Sequence, residues 1–214
     1  MSFRKVPFIN NEIYHIYNRG IDKRFIFQNN KDYKRFLESL AELNTINSLG
    51  GLYTKSYLEK KGLELDVNNK IVEVIAYCLN PNHFHLILKQ KEKEGISKFM
   101  QRLGTGYTMY FNIQNKRSGS LFQGKFKSIH IDSNEYLLYL STYVNLNNKI
   151  HNINNENGEI FSSLREYTEN INGICEKSLI LDQFKNKNGY SDLLNKTLPE
   201  LIRQKEQKRE LDEF

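Results

Sequence analysis

The sequence predicts an α+β chain built on an antiparallel sheet with helices packed on one face. Three observations predict it. Short β-branched or aromatic runs alternate with longer stretches whose apolar residues recur at three- and four-residue intervals. Two of the runs are separated only by Asn80-Pro81-Asn82, a turn that makes them partners in one hairpin. The chain of 214 residues, 39% of them hydrophobic, is long enough for one sizeable core and a small appendage.

The elements follow in order. Glu12–Asn18 is rich in Ile and Tyr and runs into Arg19-Gly20, the pattern of a strand ending in a turn. From Asn30 to Leu49 the residues Tyr33, Phe36, Leu37, Leu40 and Leu43 mark an amphipathic helix, which Gly50-Gly51 closes. Residues 52–69 hold no sustained period and are read as an irregular or hairpin-like insertion. Lys70–Leu79 has the apolar, β-branched character of a central strand, and His83–Lys89 returns beside it. Beyond Gly95 a second long helix carries Ile96, Phe99, Met100, Leu103, Tyr107 and Phe111, although Gly104 and Gly106 weaken it. Lys116–Gly124 is a glycine- and cation-rich loop. A strand Lys125–Ile131 follows, and then a helix that starts near Asp132 or Ser133 and carries Tyr143 and Asn147.

The order β-α-β-β-α-β-α suggests a ferredoxin-like (RRM-like) plan over residues 1–150. Residues 151–214 begin polar and Asn-rich and end in the charged stretch Leu198–Phe214, the composition of a C-terminal helical extension. Lys and Arg number 31 against 25 Asp and Glu, giving a formal charge of +6, which favours a polyanionic partner without requiring one. The two cysteines, Cys78 and Cys175, lie far apart, so neither a disulfide framework nor a zinc knuckle is indicated, and a reducing, cytoplasmic setting fits. Nowhere do about 18 apolar residues follow one another, so no membrane span is expected.

Chemistry concentrates at two places. Alternation along a strand puts His83 and His85 on one face and Phe84, Leu86 and Leu88 on the other. A divalent metal is one use for two imidazoles sharing a surface, and an incidental structural role is the alternative. On the later helix Tyr143 and Asn147 are four residues apart and share a face. A phenol is a competent nucleophile toward phosphorus, and an amide oxygen can complete a metal site begun by two imidazoles. Taken alone, Tyr143 reads more readily as a core aromatic than as a nucleophile, since Tyr136 and Tyr139 occur on the same helix.

The segment AYCLNPNHFHLILK closely resembles the His-hydrophobic-His motif and preceding turn of the single-tyrosine HUH transposases, also called IS200-like transposases, and especially the REP-associated tyrosine transposases. YHIYNRG, SGSLFQGKFKS and YLSTYVNLNN are similar to that family's other hallmarks and occur in the same order, so the resemblance spans roughly residues 10–150. It implies that His83 and His85 bind Mg²⁺ or Mn²⁺ with Asn147, and that Tyr143 cuts single-stranded DNA through a 5′-phosphotyrosine. It also implies a hairpin or palindrome beside the cut. Where the family commonly reads like YIHLNP, this chain has YVNLNN. Asn148 thus replaces a proline, a departure expected to touch the helix end and not the chemistry.

For DNA contacts the sequence nominates Asn18, Arg19, Lys23 and Arg24 after the first strand, and Arg117, Gln123, Lys125 and Lys127 around the glycine-rich loop. His15 is expected to support structure, and His130 and His151 are left without a role. Either a monomer or a homodimer is compatible with the sequence, with a lean to the monomer. The competing readings are a non-catalytic single-stranded nucleic-acid-binding module, which lacks an RNP-like string here, and a two-histidine phosphoesterase, which lacks its second motif copy.

Overall fold

A computed structural model describes residues 7–46, 69–153, 161–169 and 171–212. Gly50-Gly51 and nearly all of the insertion expected at 52–69 lie outside the described residues. Four strands form one sheet: β1 (Ile13–Arg19), β2 (Val72–Asn80), β3 (His83–Gln90) and β4 (Lys127–Ile131). They lie in the order β2-β3-β1-β4 with every neighbouring pair antiparallel. This is the ferredoxin-like plan. The unit β1-α1-β2 leaves a gap filled by β3, and the unit β3-α2-β4 leaves one filled by β1.

The helices α1 (Asn30–Glu42) and α2 (Gly95–Gln114) cover one face of this sheet. Phe84, Leu86 and Leu88 of β3 point into that layer and are buried with Phe36, Phe99, Leu103 and Tyr107. The side chain of Asn29 caps α1 by accepting from the backbone N–H groups of Lys31 and Asp32. The helix stops at Glu42, earlier than its apolar period suggested, because Asn44 is taken by the sheet. Its Nδ2 donates to Val72 O at 2.8 Å, and its Oδ1 accepts from the N–H groups of Ile71 and Val72. Gly95 opens α2 against the same edge, where a Cβ would lie 2.3 Å from Ile71 O.

The helix α3 (Asn134–Ile150), capped by Ser133, crosses the opposite face. A bulge between Val74 and Ala76 resets the register of β2 against β3, so that Cys78 faces His85 and Asn80 faces His83 across the strands. Three further helices follow: α4 (Leu164–Thr168), α5 (Ser178–Leu181) and α6 (Gly189–Asp212). Tyr190, Leu194 and Leu201 of α6 are buried in one cluster with Leu137, Leu140 and Val144 of α3. Residues 161–163 extend the sheet beyond β2, with Leu79 N–H donating to Phe161 O and Ser163 N–H to Tyr77 O. The stretch after residue 160 therefore closes an exposed sheet edge and clamps α3.

Candidate active site

Pleating and register assemble the site. On the α3 face of the sheet, Tyr17 of β1 and Cys78 of β2 flank His85, while Arg19 and Asn80 flank His83. The rings of His83 and His85 stand 5.2 Å apart and nearly perpendicular. His85 is buried and stacks with His15 and Tyr17, and its Nδ1 lies 2.9 Å from His15 Nε2. Burial holds all three imidazoles below their ordinary range, with His15 and His83 at about 4 and His85 well below that range, so each is neutral at neutral pH. Neutral imidazole is the form that can bind a metal.

The protonation of His83 follows from its partners. Asn82 Oδ1 can only accept, so His83 Nδ1 carries the proton and donates to it at 2.7 Å. The lone pair is then on Nε2, where it accepts from Asn80 Nδ2 at 2.8 Å. The same Asn80 nitrogen donates to Asn147 Oδ1 at 2.6 Å. The donor atoms of His83 and Asn147 thus converge on one point between a strand and a helix. Asn147 is fully buried, and its own Nδ2 is left without a hydrogen-bond partner.

Tyr143 lies one turn before Asn147 on α3, and its ring meets that of His85 edge-on with centroids 5.6 Å apart. The phenol is half-buried, and burial raises its pKa while the Asn147 side chain opposes the rise. The four residues read from strand and helix periodicity are therefore neighbours. Two neutral imidazoles and one amide oxygen are a donor set that fits a divalent cation. Among the described residues no three His, Cys, Asp or Glu side chains are placed to hold a metal ion between them.

A cleft of about 830 Å³ opens beside the two imidazoles, lined in part by His83, His85, Asn18, Arg19, Lys23 and Phe25, while Asn80, Tyr143 and Asn147 lie behind its wall and do not line it. Its rim joins distant segments. Gly20 N–H donates to Asn82 O, Ile26 and Phe27 donate to Pro81 O, and Gln123 N–H donates to Arg19 O. Gly20 is required at this junction, since a Cβ there would fall 2.3 Å from Arg24 O. The side chains of Arg19 and Gln123 are bonded directly, and Asn18 Nδ2 donates to Gly124 O. Of the nominated DNA contacts, Asn18, Arg19, Lys23, Gln123 and Lys127 line the cleft, whereas Arg24, Arg117 and Lys125 do not. Arg117 staples its own loop, donating to Asn112 Oδ1 and Ser120 O with its guanidinium 5.8 Å from the centre of the Phe111 ring.

Sequence reasoning passed over several neighbours of the site. His15 touches His85, and His151 packs 5.8 Å from His83 at the cleft wall. Phe25 stands 61% exposed on the rim. Asn148 does not merely end a helix: it is buried, and its Nδ2 donates to Asn80 Oδ1 at 2.7 Å. The cross-strand position of Asn80 beside His83 was in principle readable from the turn, while its bond to Asn148 had no local signal.

Residues 54–147 match the model of the family described as IS200-like transposases. That segment contains His83, His85, Tyr143 and Asn147, and the match bears out the family resemblance read from the motifs. Among solved structures, the chain is similar to a REP-associated tyrosine transposase bound to a REP hairpin, at 12% identity and a TM-score of 0.48, over 71% of this chain and 74% of that one. Among curated proteins, none matches. No helix of the described residues is long and apolar enough to cross a membrane.

Proposed function

We propose that this chain is a transposase that nicks and rejoins single-stranded DNA through a covalent bond to Tyr143. The observation that carries the reading is the meeting of His83, His85, Asn147 and Tyr143 from a strand and a helix that are far apart in sequence. The match of residues 54–147 to IS200-like transposases supports the transposase class. Residues 1–150 would form the catalytic unit and 151–214 an extension that braces α3. The proximity of Tyr143 and His85 within one chain supports a monomer acting in cis.

His83 Nε2, His85 Nε2 and Asn147 Oδ1 would hold Mg²⁺ or Mn²⁺, which when bound draws charge from a phosphate oxygen. For His85 to offer Nε2, its Nδ1 must carry the proton and donate to His15, which fixes the tautomer. The Tyr143 oxygen attacks phosphorus, the bond from phosphorus to the 3′-oxygen breaks, and that oxygen leaves as a 3′-hydroxyl after taking up a proton. The product is a 5′-phosphotyrosine, and attack of a 3′-hydroxyl on it reverses the step without ATP. Burial keeps the phenol protonated at neutral pH, so its proton must depart during attack. The unpartnered N–H of Asn147, one turn away, is a donor available to the developing phenolate.

On the rim, Arg19, Lys23 and Lys127 would hold backbone phosphates, and Asn18 and Gln123 would meet base edges. Arg24, Arg117 and Lys125 would act outside the cleft, Arg117 through the shape of its loop. The substrate would be a single strand with hairpin or palindromic elements. Incubating the protein with labelled hairpin-bearing single strands and Mn²⁺ should give an adduct that survives denaturation, and Tyr143→Phe should abolish it while DNA is still bound. An adduct undiminished in Tyr143→Phe, or undiminished in EDTA, overturns the proposal. A non-catalytic binding module would give no adduct under any condition.

A further inference from the structure

The amide of Asn80 occupies the point on which the His83 and Asn147 donor atoms converge. One nitrogen, fully buried, lies 2.8 Å from His83 Nε2 and 2.6 Å from Asn147 Oδ1, and spends both its hydrogens there. A cation shared by those two atoms cannot coexist with an N–H pointing at each of them. The other end of the amide is anchored as well: Asn80 Oδ1 accepts from Asn148 Nδ2 at 2.7 Å, and Asn148 Oδ1 accepts from the Cys78 thiol at 2.9 Å. Burial holds that thiol protonated, well above its ordinary range, so it keeps a hydrogen to give.

This chain of two amides and a thiol has a second arrangement in which both amides remain paired. If Asn80 turns its amide by half a revolution, its oxygen faces His83 and Asn147, and its nitrogen faces Asn148. Asn148 then turns in the same sense, accepting from Asn80 with its oxygen and presenting its nitrogen to the Cys78 sulfur, a weak acceptor. The turn gives up the longer contact of Asn148 Nδ2 with Leu79 O at 3.3 Å and the weak thiol donations of Cys78 to Asn148 Oδ1 at 2.9 Å and Asn80 Oδ1 at 3.7 Å. No large side chain moves, and three oxygen or nitrogen lone pairs now meet where two N–H groups stood.

We infer that Asn80 is a further cation ligand and the site's switch: its amide nitrogen bridges His83 and Asn147 in the cation-free protein, and it turns to give its oxygen to the bound cation, with Asn148 turning alongside. The inference rests on the proposed metal role of His83 and Asn147. It assigns to Asn148, at the position where a proline was expected, a positioning role with Asn80 alone between it and the cation.

Calorimetric titration of this 214-residue chain with Mn²⁺ tests it without recourse to activity. Asn80→Ala removes the ligand and should weaken Mn²⁺ binding about tenfold or more. Asn148→Asp, which cannot donate to Asn80 when ionised, favours the turned amide in advance and should tighten binding roughly tenfold. Unchanged or tighter binding in Asn80→Ala overturns the inference, because an amide that only competes with the cation gives that result. Unchanged or weaker binding in Asn148→Asp overturns it independently, and decides the matter if Asn80→Ala does not fold. His83→Ala separates the two levels. If wild-type affinity survives His83→Ala, the metal reading itself fails and takes the inference with it. If it is lost in His83→Ala but kept in Asn80→Ala, the inference fails alone.

Discussion

The two faces of the sheet solve opposite problems. Against α1 and α2, the side chains of Phe84, Leu86 and Leu88 enter a layer of aromatic rings with Phe36 edge-on to Tyr107 and Phe27, where the buried Tyr107 hydroxyl is satisfied by donating to Ile26 O at 2.6 Å. Against α3, the same strand buries His85, and its neighbours bury His15, Asn80, Asn147 and Asn148. That second layer leaves two polar atoms, His15 Nδ1 and Asn147 Nδ2, without partners. An unpartnered buried donor costs about 1–3 kcal/mol, so the polar face is a standing loss of stability that the apolar face offsets. One side of β3 holds the fold together, and the other holds buried polar groups in place at the fold's expense.

The comparison can be broken first on the apolar side. Phe36→Ala should cost about 3–5 kcal/mol in urea unfolding while leaving the Mn²⁺ affinity of the folded fraction unchanged. A comparable loss of Mn²⁺ binding would mean that the two faces are not separable. On the polar side the expectation is inverted. His15→Ala should weaken Mn²⁺ binding about 10- to 100-fold by freeing the His85 ring, with a stability change far below that of Phe36→Ala. Titration calorimetry alongside thermal melting reads both quantities.

Acid should find the same division. In the folded, cation-free chain burial holds His15 and His83 at about 4 and pushes His85 well below its ordinary range. Unfolded, these groups titrate near 6.5, so the unfolded chain binds more protons between the two values. Stability from this source is complete above about pH 6.5 and is lost as pH falls toward 4. Urea midpoints measured across that range should drop, with the same dependence on pH in Phe36→Ala as in the wild type. A flat profile would mean that the imidazoles are not held neutral by burial. The smallest effect belongs to the rim: Lys23→Ala should weaken binding to every single strand alike and lower the salt dependence by about one charge.

The division was partly legible in the amino-acid order. A strand's period of two is enough to separate His83 and His85 from Phe84 and Leu86, and a helix's period is enough to put Tyr143 above Asn147. The strand order followed from the alternation of elements. What escaped depends on contacts between residues remote in the chain. Asn148 was read as a helix end because its partner Asn80 is 68 residues away. The extra residue between Val74 and Ala76, which brings Cys78 and Asn80 to the histidine face, leaves no mark in a β-branched run. The early end of α1 at Glu42 arises because Asn44 bonds to the edge of β2. Arg117 was nominated as a DNA contact on charge, and its hydrogen bonds to Asn112 Oδ1 and Ser120 O, which tie it to its own loop, could not be read from the sequence.

The most direct measurement is mass spectrometry of the protein after reaction with a hairpin-bearing single strand in Mn²⁺, followed by nuclease and protease digestion. A nucleotide joined through its 5′-phosphate to the peptide containing residue 143, absent when His83 is changed to Ala, is the predicted result. A modified peptide from elsewhere in the chain, or DNA cut with no nucleotide attached to the protein, would contradict the assignment of Tyr143 as the nucleophile.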